Sequence, residues 1–268
     1  MLRSMYAGVS GMKGFQTKLD VIGNNIANVN TIGFKKSTIN FQDLLSQNLS
    51  SSGVNPIQVG LGSTIASINT QHTPGSAMTT GVGTDLSIMG NGFFVVQAPD
   101  ATGDEGQYLT RAGNFVADQN GFLVTAQGYN VLDSTGAKIN IDPNTYDSFT
   151  INRAGQIMGK RSDNGVEEQV LPANETIGIA SPPNPAGLRK FGGSLYEMTT
   201  NAEPTGTIIL GTVAGMNTEI ASGQLEMSNV DLTEEFTEMI IAQRGFQANS
   251  RTITTSDEIL QEVVNLKR

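Results

Sequence analysis

Apolar residues recur every seven positions at both ends of this chain. Near the N-terminus Met5, Met12, Leu19 and Ile26 make one line, and Phe15, Ile22 and Val29 make a second line three positions further on. That spacing places both lines along one flank of an α-helix, as an a/d seam. Asn30, Thr31 and Gly33 close the segment with residues that favour turns and the left-handed backbone region. Near the C-terminus Leu232, Met239, Phe246, Ile253 and Leu260 repeat the same period. SNVDLTEEF opens that helix, with Asp231 placed to cap it and Glu234 three residues on, as in a capping box. Two helices of one period at opposite ends are most simply satisfied as an antiparallel pair, with the chain leaving and re-entering the intervening domain at one end.

Between the helices the pattern changes twice. The stretch STINFQDLLSQNLSSSGVNPIQVGLGSTIASINT mixes a short apolar helix candidate with a Ser/Gly/Pro linker and reads as a connector of low regularity. From about Thr73 to Leu210, turn signals at Asn91-Gly92, Asn120-Gly121, Ser134 to Gly136 and Asn164-Gly165 separate short runs rich in Val, Ile, Phe and Tyr. This is the pattern of antiparallel β structure. FFVVQ and GFLVT are its clearest strands, and SPPNPAGL reads as a rigid, irregular loop. The expected fold is therefore α+β, with coiled-coil-forming terminal helices joined by a connector to an antiparallel β-rich domain. The divisions are an N-terminal helix over 1–30, a connector over 31–72, the β domain over 73–210, and a return segment with the C-terminal helix over 211–268.

The polar residues flanking the seams are amides and hydroxyls. Asn24, Asn25 and Asn28 lie beside the first seam, and Gln243, Asn249, Ser250 and Ser256 beside the second. A helix packed on its own domain usually turns Lys and Glu to solvent. Uncharged amides suit a face buried against another backbone or amide, where a charge would be too costly to desolvate. A long C-terminal helix also loses more backbone entropy than five apolar side chains recover. Both features point to helices that need neighbours beyond their own chain, as in the subunit of a polymer.

Composition excludes several alternatives. A formal charge of -9 and a pI near 4.6 oppose binding to nucleic acid or anionic lipid. With no cysteine, disulfides and thiolate metal sites are impossible. MLRSMYAGVSGMKGFQTK places glycines and lysines where a secretory signal needs an unbroken apolar core, and no apolar run is long enough to insert into a membrane. The single histidine, His72, has no sequence neighbour suited to metal binding, and DATGDEG lacks the ligand spacing of a calcium loop. Neither a dinucleotide fingerprint nor a phosphate loop occurs, so no catalytic residue, metal or cofactor is expected. A secreted β-rich adhesin or glycan-binding module is the alternative from another class, poorly served by the absence of tryptophan.

Four stretches carry a more specific message. LDVIGNNIANVNTIGFKKS, DLSIMGNGFFVVQ, YLTRAGNFVADQNGFLVT and SNVDLTEEFTEMIIAQRGFQANSRTITTSDEILQEVVNL together resemble the rod and hook family of bacterial flagellar axial proteins. The resemblance implies a subunit exported through the flagellar type III apparatus without a cleaved signal and polymerised with itself outside the membrane into a hollow helical tube. It also implies that the terminal helices form the inner core and the β domain the outer layer, with Asn24 to Lys36 ending the inner helix. The wording LEMSNVDLTEEF, IAQRGFQANS and EVVNLKR is more similar to hook members of the family. A hook subunit would act in a universal joint transmitting torque from rod to filament, beside rod, hook cap and hook-filament junction proteins. The chain length also suits a distal rod subunit, part of the drive shaft.

Overall fold

The computed structural model describes residues 2–50, 57–101, 103, 105–162, 166–172, 175–216 and 218–266. The turn expected at Asn164-Gly165 lies outside them. The fold is α+β, and the chain divides into two compact units. One comprises Met1–Val29, Lys36–Gln71 and Val230–Arg268, and the other Asn30–Lys35 and His72–Asn229.

The first unit is built on helices α1 (Leu2–Ala27) and α2 (Leu232–Leu266). Asp231 caps α2, its Oδ1 accepting from the Thr233 N–H at 2.8 Å, while Glu234 turns its carboxylate to Lys36 at 2.7 Å. The stretch between Lys36 and Gln71 departs from the expected irregular connector. Strand Ser37–Asp43 pairs antiparallel with Ser63–Thr70, and Ser46–Ser50 pairs with Ile57–Gly60. No helix forms in this stretch among the described residues. Isoleucines 39, 65 and 68 and Phe41 are β-formers, and α1 gives their hairpin a surface to pack on. The Phe41 ring lies 6.0 Å from that of Phe15 and occupies the space left by Gly14, where a Cβ would come within 2.8 Å of it.

The second unit is antiparallel throughout. Its largest sheet has eight strands, seven of them in the order Arg189–Gly192, Leu195–Glu197, Gln107–Thr110, Phe93–Gln97, Asn130–Val131, Leu123–Thr125 and Phe115–Ala117. Ile179–Ala180 pairs with Phe93–Gln97 as the eighth. FFVVQ is apolar over four successive residues because both of its faces are covered: Phe94 and Val96 join one apolar cluster, and Phe93 and Val95 the other. The larger cluster includes Phe115, Leu123, Ile139, Ile157 and Ile177, with Phe94 and Phe115 edge to face at 5.1 Å. The unit extends to Asn229 because Glu219–Ser222 pairs with Leu86–Met89, and Gln224–Glu226 with Ala77–Thr79. SPPNPAGL contains a short 3-10 turn at Pro185–Gly187, and DATGDEG lies in the hairpin connection between Phe93–Gln97 and Gln107–Thr110.

Phe94→Ala should therefore cost about 3–5 kcal/mol in urea unfolding. Val116→Ala, in the same sheet but 60% exposed, should stay within about 0.5 kcal/mol.

Candidate functional site

In the helical unit, α1 and α2 run antiparallel. Their contacts pair Ser4 with Ser256, Gly8 with Thr252, Gly11 with Asn249, Phe15 with Gly245, Lys18 with Glu238 and Asn25 with Glu235. Much of the meeting surface is small or polar. A Cβ on Gly11 would lie 2.8 Å from the Asn249 amide nitrogen, and one on Gly245 would lie 2.5 Å from the Phe15 ring. Two bare backbones therefore set how closely the helices approach. Ala242 is fully buried on the same face.

The predicted residues fall into different settings. Met5, Met12, Phe15, Leu19, Ile26, Asn28, Val29, Met239, Asn249, Ile253 and Leu260 are half-buried, and Ile22 is buried. Leu232 and Phe246 are exposed, at 40% and 37%, as are Asn24 and Gln243. Asn25 is 1% exposed and uses its amide inside the chain. It accepts from the Ser37 N–H at 3.0 Å and donates to the Ser37 carbonyl at 2.9 Å and to the Glu235 carboxylate at 3.1 Å. One amide thus fastens the hairpin's first residue to the start of α2. Asn28 donates to the Asn24 carbonyl and side chain, bracing the last turn of α1.

The large apolar side chains of α2 are mostly on its uncovered surface. Leu232, Phe236 (50% exposed) and Ile240 (59%) stand four residues apart along one ridge. Ile241, Ile259, Val263, Val264 and Leu266 are exposed too. So many exposed large apolar side chains on one helix are unusual on a monomer.

The β unit contains a second site, built from residues whose pattern alone did not single them out. Lys35, Arg111 and Glu226 are 0%, 2% and 3% exposed. Lys35 Nζ donates to Glu226 Oε1 at 2.5 Å and to the Thr73 carbonyl at 2.7 Å. Arg111 donates to Glu226 Oε2 at 3.2 Å and to the Ile88 and Gly90 carbonyls. Glu226 Oε1 also accepts from the Gly75 N–H at 3.0 Å, and its backbone carbonyl accepts from the Gly33 N–H at 2.8 Å. Gly33 has φ +67, and a Cβ there would lie 2.5 Å from the Ala112 nitrogen, so the turn after α1 requires glycine. A single carboxylate thereby ties together the segments around residues 33–35, 73–75 and 111. The available sequence signal was Glu226 in strand Gln224–Glu226 beside Leu225, also buried.

His72 packs edge-on to Phe93 and Tyr196, each 5.4 Å away, with the Pro185 backbone acting on its ring against the cations. Burial first, then the positive charges of Lys35, Arg111 and Lys190, push its pKa down to about 4. Burial also lowers the pKa of Lys35, with Glu226 working in the opposite direction, and raises that of Tyr196. Among the described residues no cluster of His, Asp or Glu could hold a metal ion, and no helix is long and apolar enough to cross a membrane.

Terminal helices packed antiparallel thus stand on either side in sequence of an antiparallel β unit. The chain belongs to the flagellar basal-body rod and hook family, a structural family of the motility apparatus. Residues 5–35 match the flagella basal body rod protein family, residues 87–159 the flagellar hook protein FlgE/F/G D1 domain, and residues 221–266 the flagellar basal body rod FlgEFG protein C-terminal region. The chain is 49% identical to the flagellar basal-body rod protein FlgG of Bacillus subtilis, over 100% of both chains. It is 37% identical to the basal-body rod protein FlgG of Borreliella burgdorferi, again over 100% of both. Its identity to the flagellar hook protein FlgE of the same organism is 30%, also over 100% of both chains, in an alignment of 452 residues.

Two outcomes follow from the buried charges. Glu226→Gln should destabilise the protein by about 3–5 kcal/mol in chemical unfolding, because it leaves two buried cations without their carboxylate. The pH dependence has a definite sign: the folded state holds His72 neutral down to about 4, against 6.5 when free. Stability from this group is complete above pH 6.5 and is lost as pH falls toward 4. His72→Phe should flatten the unfolding midpoint between pH 6.5 and 5, and an unchanged slope would refute the assignment.

Proposed function

We propose that this chain is a self-polymerising subunit of the flagellar axis, and within it a subunit of the distal rod. The assembly reading is supported chiefly by the apolar side chains that α2 leaves uncovered. In a hollow polymer, neighbouring copies would bury the ridge of Leu232, Phe236 and Ile240 that one chain cannot. The two helices would then work as a short coiled coil, with Met12, Leu19, Met239 and Ile253 in its seam and further copies on its outer side.

The rod reading rests on colinear length. The Bacillus subtilis rod protein aligns end to end over 288 residues, whereas the Borreliella burgdorferi hook protein needs 452. That hook relative carries insertions for which this chain of 268 residues has no counterpart. Within Borreliella burgdorferi, identity also favours rod over hook, 37% against 30%. These comparisons outweigh the hook-like wording of the C-terminal helix. The neighbours along the axis are then other rod subunits and the hook, reached after uncleaved export through the type III apparatus. Hook cap and hook-filament junction proteins would be partners only of a hook subunit.

Electron microscopy of cells lacking the gene separates the two positions. Basal bodies arrested before a complete rod are expected; complete rods without hooks would place the chain in the hook. Ile240→Asp should abolish tube formation while shifting the unfolding midpoint of the unassembled chain little, because the side chain is already 59% exposed. Normal tube yield, followed by sedimentation, would show that this ridge is not an assembly surface.

A further inference from the structure

The buried charges around Glu226 do not balance. Lys35 and Arg111 share one carboxylate, that of Glu226, and among the described residues neither forms a salt bridge to another. Two buried cations with one buried anion leave an excess positive charge, costly in a low-dielectric interior unless an anion approaches. Beside this cluster lies a cavity of about 310 Å³, lined by His72, Asn91, Phe93, Arg111, Ser181 and Pro182 among others. Arg111, whose Nε is buried without a hydrogen-bond partner, and His72 are both among the lining residues. Arg111 stacks over Phe93 at 5.2 Å, which leaves the guanidinium edge for hydrogen bonding.

Three cations act on this wall. The positive charges of Lys35, Arg111 and Lys190 all bear on His72 and disfavour its protonation. A positive hollow is a local exception in a chain of net charge -9. Asn91 and Ser181 add neutral donors at the cavity wall, and Phe93 and Pro182 supply apolar surface. The planar guanidinium suits the two oxygens of a carboxylate.

We propose that the cavity between His72, Arg111 and Ser181 is a carboxylate-binding site. The carboxylate lies in the cavity, accepts from Arg111 Nε–H with Ser181 or Asn91 as a second donor, and neutralises the excess charge. Its source is either a free carboxylate or an Asp or Glu side chain of a second copy. The site itself does not depend on the assembly reading; only the second source does.

Trifluoroacetate is a suitable probe because it stays ionised and carries its own fluorine signal. At pH 7 the full unassembled chain should broaden the fluorine line saturably, and the ring-proton line of His72, the single histidine, should shift in step. Trifluoroethanol, of similar shape but neutral, should do neither. Ser181→Glu or the exposed-site change Asn91→Asp supplies a carboxylate in place, and at least one of them should weaken binding about tenfold or more. The absence of a saturable response, an unmoved His72 line, or full binding by both variants would overturn the proposal. In assembled tubes, loss of trifluoroacetate binding assigns the carboxylate to a second copy, and retained binding assigns it to a free anion; both outcomes require the site.

Discussion

Close approach between α1 and α2 governs the helical unit. Gly8, Gly11, Gly245 and Ala242 let the backbones come together, and Asn25, Asn249 and Ser256 fill the remaining contact. An interface of this kind is tight but recovers little apolar burial, since glycine and alanine offer little area to bury. Large side chains of α2 such as Phe236 and Ile240 are not covered by that contact and remain half exposed or more. The sparse apolar burial between the helices and the apolar side chains left exposed on α2 are thus consequences of one choice of residues. The hairpin of Ser37–Asp43 and Ser63–Thr70 adds support through Phe41 and Asn25 without covering that outer side.

In the β unit, order at the points where the chain enters and leaves depends on one carboxylate. Glu226 takes bonds from Lys35, Gly75 and Arg111, and Asn229 adds a bond to Thr73 Oγ1 at 2.9 Å. These segments adjoin three of the places where the sequence passes from one unit to the other. An apolar plug would have held them together as well, but without fixing the register of each backbone. Hydrogen bonds to specific carbonyls and amides do fix it, as expected of a buried ionic group that sets register.

Much of this architecture was legible because it rests on periodicity. The seven-residue repeats marked both helices, Asp231 marked the start of α2, and the apolar run FFVVQ marked a strand. The strands between residues 37 and 70 were obscured by their Ser, Asn and Gly content, and their packing surface, α1, is distant in sequence from Ser63–Thr70. The Lys35, Arg111 and Glu226 cluster was hidden for a similar reason: each charge resembles an ordinary solvated residue until folding brings together positions up to 191 residues apart. Asn25 shows the limit of reading amides by composition. With Asn24 and Asn28 it was read as an amide buried against a neighbouring copy, whereas its groups are occupied within the chain by Ser37 and Glu235.

The central claim is that α2 gains most of its stability from other copies. Hydrogen exchange, resolved along the chain before and after assembly, tests it directly. In the unassembled chain, amides of α2 beyond about Ala242 should exchange orders of magnitude faster than those of strand Phe93–Gln97, and assembly should bring them to comparable protection. Strong protection along the whole of α2 in the unassembled chain, unchanged on assembly, would contradict the account.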